Sequence, residues 1–297
     1  RANNYICHFT VFQKSLLEKV GLFRSECDGS QDFDMVLRLT EQAQKIVHIP
    51  KPLYFWRSHA QSVASSVGAK PYVIQAAKKA IGDHLKRVGL DGEALDSVVP
   101  SMYRLKYEIK GEPLISILIP NKDHVSDLRK CIVSIQEKTS YPNYEIIVIE
   151  NNSEEEKTFQ YYQLLEKRRN IRVVCWNGKF NYSAINNFGY TFAKGEYILL
   201  LNNDTEVISA DWLQEMLMYA QRGDVGAVGA KLYYPDNTVQ HGGVVLGVGG
   251  VAAHLHCNRQ KEDPGYMGRL IYAQDLTAVT AACMMLPRKV WEETGGL

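Results

Sequence analysis

Nowhere in the 297 residues does an apolar run reach the roughly 18 consecutive positions that a membrane-spanning helix needs. An excess of one charge is missing too. The 34 basic and 33 acidic side chains leave +1, which removes the basic stripe expected of a nucleic-acid binder. The six cysteines, at positions 7, 27, 131, 175, 257 and 283, form no CxxC pair, and they read as reduced, mostly buried thiols of a cytosolic protein. The opening residues RANNYICHF have no basic stretch followed by an apolar one, so no signal peptide is read there.

What is present is apolar material for a sizeable core, in one large domain or two small ones. From residue 114 onward it is laid out regularly. LISILIP (114–120), YEIIVIE (144–150), IRVVCW (171–176) and EYILLLN (196–202) are continuous apolar runs, the pattern of strands buried on both faces. Between them, 126–139 places Leu128, Ile132 and Ile135 on one helical face, with Ser126 or Asp123 as N-cap. A charged helix is expected over 155–168, and a third over 183–195 with Gly195 as C-cap. A helix over 211–222 and a strand over 225–234 follow. Strand–helix–strand repeats specify a mostly parallel sheet with right-handed crossovers, in which ligands sit beyond the carboxyl ends of the strands. Polar residues fall at those ends: Asn121, Glu150, Asn181, and Asn202, Asn203 and Asp204.

Beyond 235 the pattern loosens. VQHGGVVLGVGGVAAHLH suggests a flexible loop or irregular strands, 275–287 a strand, and RKVWEETGGL a short helix. His254 and His256 would share one side of a strand, but two histidines do not complete a zinc ligand set. In the N-terminal part, 11–23 reads as a short helix with its stop, 28–44 as an amphipathic helix behind an acidic cluster, and KIVHIP (45–50) as a strand. Residues 71–112 look helical and turn into a polar linker around 105–113.

ISILIPNKD, IVIENNS, the helix carrying Asn186 and Asn187, and LNNDTEV, in that order, resemble the inverting glycosyltransferases of family 2, over roughly 114–297. The resemblance implies a GT-A-like, Rossmann-like sheet flanked by helices, and transfer of a sugar from a UDP- or dTDP-sugar to a polysaccharide or lipid-linked acceptor. It implies base binding at Glu150, in a pocket lined by Pro120 and Asn121, and a D-x-D-like motif at Asn202, Asn203 and Asp204. With an amide at Asn202, Asp204 becomes the main carboxylate for Mg²⁺ or Mn²⁺ bridging the diphosphate. Each residue also has a plainer reading: a turn for Asn121 and Asp204, a helix cap for Glu150, and ordinary caps for Asn181 and Asn186, which otherwise suit an anion at a helix N-terminus. IPNKDH has no glycine, which counts against a pyrophosphorylase-type nucleotidyltransferase.

The order of the halves departs from the family. VGLFRSECDGSQDFDMVLRL (20–39) and IVHIPKPLYFWRSH (46–59) resemble its catalytic second half, which here comes first. The resemblance makes Asp32 the general base, since Gln31-Asp32 matches a Glu-Asp motif with one substitution, and His59 a further metal ligand. The plainer readings are an acidic helix start for Asp32 and a structural role for His59. FTVFQKSLLEKVGLF (9–23) and CMMLPRKVWEETGGL (283–297) look like two copies of one strand–helix–Gly unit. The chain is therefore read as a piece of a tandem enzyme: 1–70 the back half of one copy, 71–112 a helical linker, 113–297 the nucleotide-sugar part of the next. The halves are expected to dock in permuted order, within a chain or swapped in a homodimer. The expected location is the cytoplasm, or the inner face of the cell membrane. The alternative function is a catalytically inactive nucleotide-sugar or glycan-binding module.

Overall fold

The protein's structure, a computed structural model, describes residues 1–6, 9–55 and 71–297. They divide into two units, Arg1–Glu108 with Glu262–Asp275, and Ile109–Lys261 with Leu276–Leu297.

The first unit begins with α1 (Lys14–Val20) and α2 (Gln31–Gln42), followed by α3 (Pro71–Arg87). α2 buries Phe33, Met35, Leu37 and Leu39, and α3 buries Ala76, Ala77, Ala80, Ile81 and Leu85. Beyond Arg87 the chain does not stay helical. It forms an antiparallel hairpin, β1 (Gly92–Asp96) with β2 (Tyr103–Tyr107). Tyr103, Leu105 and Tyr107 are buried while Arg104 and Lys106 are not, the period-two pattern of a strand inside the supposed polar linker. The strand expected at 45–50 is also absent. Ile46, Val47 and Ile49 lie exposed, with no strand alongside among the described residues to take up their backbone groups. No helix among the described residues is long and apolar enough to cross a membrane.

The second unit is built on β3 (Ile115–Asn121), β4 (Tyr144–Glu150), β5 (Ile171–Cys175) and β6 (Tyr197–Leu201), all parallel and all where the apolar runs put them. β7 (Val228–Gly229) comes next, and β12 (Cys283–Pro287) inserts antiparallel between β6 and β7, giving the order β5-β4-β3-β6-β12-β7. The single strand expected over 225–234 is instead β7 in this sheet and β8 (Leu232–Tyr233), which pairs with β9 (Val239–His241). The Gly-rich stretch contributes a further pair, β10 (Val244–Leu246) and β11 (Ala252–His254).

Helices cover both faces. α4 (Val125–Lys138), α5 (Glu156–Leu165) and α7 (Trp212–Ala220) bury Leu128, Ile132, Tyr162 and Leu217 against Ile117, Val148, Leu199 and Met285. On the other face α6 (Tyr182–Tyr190) and α8 (Arg288–Thr294) bury Ile185 and Trp291 against Leu118, Ile149 and Leu200. Alternate residues of each strand thus enter opposite cores, which is why the strands read as unbroken apolar runs.

Two expected caps fall elsewhere. α4 is preceded by His124 in the left-handed region (φ 46°), and the Asp123 carboxylate instead accepts the Glu154 and Glu155 N–H groups, each at 2.9 Å. α6 ends at Tyr190, so Gly195 does not cap it. Gly195 lies where a Cβ would come within 2.6 Å of the Leu114 carbonyl and the Ser116 amide, a close backbone approach that only glycine permits.

The two copies seen in the sequence share the helix and the glycine after it, but only the second forms the expected strand. α1 and α8 occupy the same seven positions of the repeat, after Gln13 (φ −70°, ψ 140°) and Pro287 (φ −62°, ψ 141°), and before Gly21 and Gly295 at positive φ. The packing differs. β12 and Trp291 of the second copy are built into a sheet, whereas α1 buries no residue and Phe9, Val11 and Phe12 are exposed.

Candidate functional site

β3 is paired to β6 only over Ile115–Leu118 but to β4 over its full length. Its last three residues therefore have an open side facing away from β4. The open side lies at the switch point: from β3 the chain proceeds through β4 and β5 on one flank, then returns to β6 on the other. Crevices of this kind are the usual ligand sites of open α/β sheets. Pro120 sits on this stretch, where its missing N–H removes no bond to β6. The turns around it are sharply bent, with Asp123, His124 and Asn152 all at positive φ.

Side chains from three strand ends meet here. Asn203, just past β6, donates from Nδ2 to Asn121 Oδ1 at 2.6 Å. Asn121, the last residue of β3, donates from Nδ2 to the Tyr162 hydroxyl (2.8 Å) and the Asp123 carbonyl (3.0 Å). Tyr162, from α5, donates to Glu150 Oε2 at 2.6 Å. Glu150 ends β4, is buried, and also accepts from the Ser153 N–H and hydroxyl, each at 2.5 Å. A carboxylate offers about four lone-pair sites, so these three bonds leave room for one more donor. Burial, and then the hydrogen bond to Glu150, push the Tyr162 phenol well above its ordinary value, so it stays a donor.

Asn202, Asn203 and Asp204 form a turn on β6. Thr205 Oγ1 donates to the Asn202 carbonyl at 2.8 Å, and the Cys131 thiol lies 3.8 Å from the same oxygen. Burial pushes that thiol up to about 12, so it is a neutral support and not a nucleophile. Asp204 is exposed. Among the described residues no three His, Cys, Asp or Glu are grouped to hold a metal. One exposed carboxylate beside two amides suits Mg²⁺ or Mn²⁺ completed by substrate phosphates and water, and does not suit a closed protein cage.

The other candidates divide. Asn181 caps α6, accepting the Ala184 N–H at 2.9 Å, which is the plainer of its two readings. Asn186 is fully buried. Its Nδ2 donates to the Tyr182 carbonyl at 2.8 Å, but its Oδ1 has no partner, so one buried acceptor awaits a donor. Asp32 belongs to the first unit, in the first turn of α2, where Oδ2 accepts from Asn4 Nδ2 at 3.0 Å and Oδ1 accepts the Phe33 N–H at 2.9 Å. His59 lies outside the described residues. Of the five described cysteines, Cys27, Cys131 and Cys283 are buried, and Cys175 and Cys257 are exposed.

Tyr162 and Ser153 are absent from the sequence reading. Ser153 had a signal, three residues beyond Glu150 on the ENNS turn. Tyr162 had none, because its helix reads simply as charged with an apolar face.

His254 pairs with His241 and not with a zinc set: the two Nδ1 atoms are 2.9 Å apart. Burial, and then the His254 charge, lower His241 to about 4. The unfolded state then takes up a proton first as pH falls, so stability rises with pH between about 4 and 6.5 and is lost on acidification through that window. The loss is at most about 3 kcal/mol. Urea titrations at pH 4.5, 5.5 and 7 should show this slope flattened in His241→Gln.

Residues 116–295 match the family described as Glycosyl transferase family 2. Over 300 aligned residues the chain is 45% identical to the uncharacterized protein y4gI of Sinorhizobium fredii, covering 99% of this chain and 33% of that one. It is 40% identical over 300 residues to the O-antigen biosynthesis protein RfbC of Myxococcus xanthus, covering 100% of this chain and 23% of that one. The chain thus spans about a third and about a quarter of the length of these relatives. Among solved structures, the mannosyltransferase PcManGT from Pyrobaculum calidifontis, in complex with GDP-Man and Mn²⁺, is similar at 13% identity and a TM-score of 0.45, over 63% of this chain and 48% of that one.

Proposed function

The chain belongs to glycosyl transferase family 2, and we propose that it moves a sugar from a UDP- or dTDP-sugar to a polysaccharide or lipid-linked acceptor, with inversion at the anomeric carbon. The observation that carries this reading is the run of hydrogen bonds from Asn203 through Asn121 and Tyr162 to Glu150, across the strand ends at the switch point. The name of the Myxococcus relative, an O-antigen biosynthesis protein, supports a polysaccharide acceptor.

In this reading the free lone pair of Glu150 accepts a base N–H. Pro120 and Asn121 border the nucleoside, the amides of Asn202 and Asn203 meet the diphosphate, and the Asn186 carbonyl accepts a donor hydroxyl. Asp204 would hold Mg²⁺ or Mn²⁺, which supplies charge neutralisation to the departing diphosphate. In the transfer, an acceptor hydroxyl oxygen bonds to the anomeric carbon as the bond from that carbon to phosphate breaks, and a carboxylate takes the hydroxyl proton.

We assign that carboxylate to Asp32 within a tandem arrangement. The support is the repeat: residues 9–13 match β12, which is built into a sheet, yet here they are exposed. Phe9, Val11, Leu22, Phe23, Ile49 and Phe55 are all exposed, and large apolar side chains left open in number mark interaction surfaces. Their natural cover is the nucleotide-binding half of another copy of the unit, whose base Asp32 would then be. His59, as an added metal ligand, belongs to the same proposal.

The rival reading, a binding module without turnover, is favoured by one residue, the amide at Asn202 where a second carboxylate would stand. Calorimetry with UDP, with and without Mn²⁺, followed by UDP-sugar hydrolysis, separates the two. Metal-dependent binding with slow hydrolysis is the expected result. Binding with no hydrolysis, unchanged by Asp32→Asn, would favour the module, and no metal-dependent binding of UDP or dTDP would end the nucleotide-sugar reading.

A further inference from the structure

We propose that the Tyr162 hydroxyl is a positioning group that couples recognition of the nucleobase at Glu150 to the grip on the diphosphate at the Asn203–Asp204 turn. This inference rests on the nucleotide-sugar reading above.

The coupling follows from the direction of the hydrogen bonds. A phenol has one O–H, and that of Tyr162 points to Glu150 Oε2. Toward Asn121 the phenol oxygen can therefore only accept, and it takes one of the two Asn121 Nδ2 hydrogens. The other goes to the Asp123 carbonyl. Asn121 is thereby locked with Oδ1 toward β6, where only a donor is tolerated, and Asn203 supplies it from Nδ2. The Asn203 carbonyl and its second N–H remain for a ligand. Each bond in the run points the same way, from the turn toward the carboxylate, and each is strengthened by the next.

The links of the run are held in place. Asn121 is 3% exposed, Glu150 5% and Tyr162 5%, so none can exchange its partner for bulk water at low cost. Tyr162 is fixed by α5, with Tyr161 and Leu165 buried beside it and Phe159 edge-on to its ring at 6.1 Å. With the hydroxyl removed, Glu150 loses a donor and the Asn121 Nδ2 keeps one of its two acceptors, the Asp123 carbonyl, so less opposes inversion of the amide. An inverted Asn121 presents N–H to the N–H of Asn203 and displaces the turn that carries Asp204. A purely structural tyrosine would lower stability and weaken all ligand contacts alike. A coupling residue changes how two ligand contacts depend on each other.

The test is a double-mutant cycle on UDP binding in Mn²⁺, by calorimetry, with Glu150→Gln, Asn203→Ala and the pair, repeated in a Tyr162→Phe background. In the native background the effects of Glu150→Gln and Asn203→Ala should depart from additivity by about tenfold, and in the Tyr162→Phe background by less than about twofold. Ser153→Ala is the control. It removes a second donor from the same Glu150 oxygen, Oε2, without removing any bond of the run, and the coupling should survive it. Should Tyr162→Phe fail to fold, Asn121→Ala cuts the run one link later and should give the same collapse of coupling. Coupling that is absent at the outset, persists without the hydroxyl, or vanishes equally in Ser153→Ala overturns the Tyr162 assignment while leaving the nucleotide-sugar site intact. Failure of the unmutated chain to bind UDP or dTDP in Mn²⁺ overturns both.

Discussion

Asp204→Ala is expected to lower UDP affinity in the presence of Mn²⁺ by about 100-fold, with transfer lost in proportion, and to leave stability within about 0.5 kcal/mol of the unmutated chain. The two parts of this expectation have one origin. The Asp204 carboxylate is exposed on a turn past the sheet, so it contributes little to folding. It is also the carboxylate of the Asn202–Asp204 turn, so a cation bridging to phosphate has no substitute for it there. Binding without metal should change far less, because in the proposed site the base is held at Glu150 and not at this group. Asn202→Asp supplies the opposite arm: a second carboxylate beside the first should tighten Mn²⁺. Calorimetry with and without chelator reads both variants, and thermal unfolding supplies the stability. Equal losses with and without metal would remove the cation from Asp204.

Asp34→Ala should be the most damaging single change to the first unit, at about 3–5 kcal/mol. Asp34 is fully buried one helical turn before Arg38, with which it pairs at 2.8 Å, and it also binds the Arg24 guanidinium. Burial alone would raise its carboxyl, but the hydrogen bonds from Arg24 and then Arg38 hold it below the ordinary carboxylate range. Arg38 meanwhile donates to the carbonyls of Val20, Gly21 and Leu22, at 2.6, 3.2 and 2.9 Å, closing the end of α1 onto α2. Removing the carboxylate leaves a buried guanidinium uncompensated and frees that junction. Hydrogen exchange reads the result locally: amides of Gln31–Gln42 should exchange more than about 100-fold faster, while those of β3 and β4 should not change. Asp34→Asn, which keeps the shape and one acceptor oxygen, should lose roughly half as much.

Asp34 also illustrates how far a sequence can be read. In SQDFD both acids look alike, and an acidic helix start explains either. Burial separates them. Asp34 is a structural counter-charge, whereas Asp32, two residues earlier and half-buried, accepts from Asn4 and from the Phe33 N–H. The same local ambiguity misplaced the caps. Asp123 precedes α4 in the chain yet serves α5, because two loops from different strands lie side by side.

The four parallel strands of the sheet were legible in the residues alone. Four apolar runs separated by helix-period segments admit little besides a parallel sheet covered on both faces, and three of the runs end in the polar residues that a switch-point site requires. These are local properties, set by the backbone and by side-chain period, and they need no knowledge of neighbours. Which of those polar groups meet is set by packing between distant parts of the chain. The pairing of β3 with β6 stops at Leu118, Gly195 permits two backbones to touch, and Tyr162, twelve residues beyond Glu150 and on another element, joins the strand ends into one hydrogen-bonded run. Hydrogen bonds are short-ranged and directional, so partners distant in the chain are fixed only once packing has brought them within 3 Å, and no periodicity records that in advance. The segment at 45–50 shows the converse: its apolar residues favour a strand, but a strand needs a neighbour, and none of the described residues supplies one.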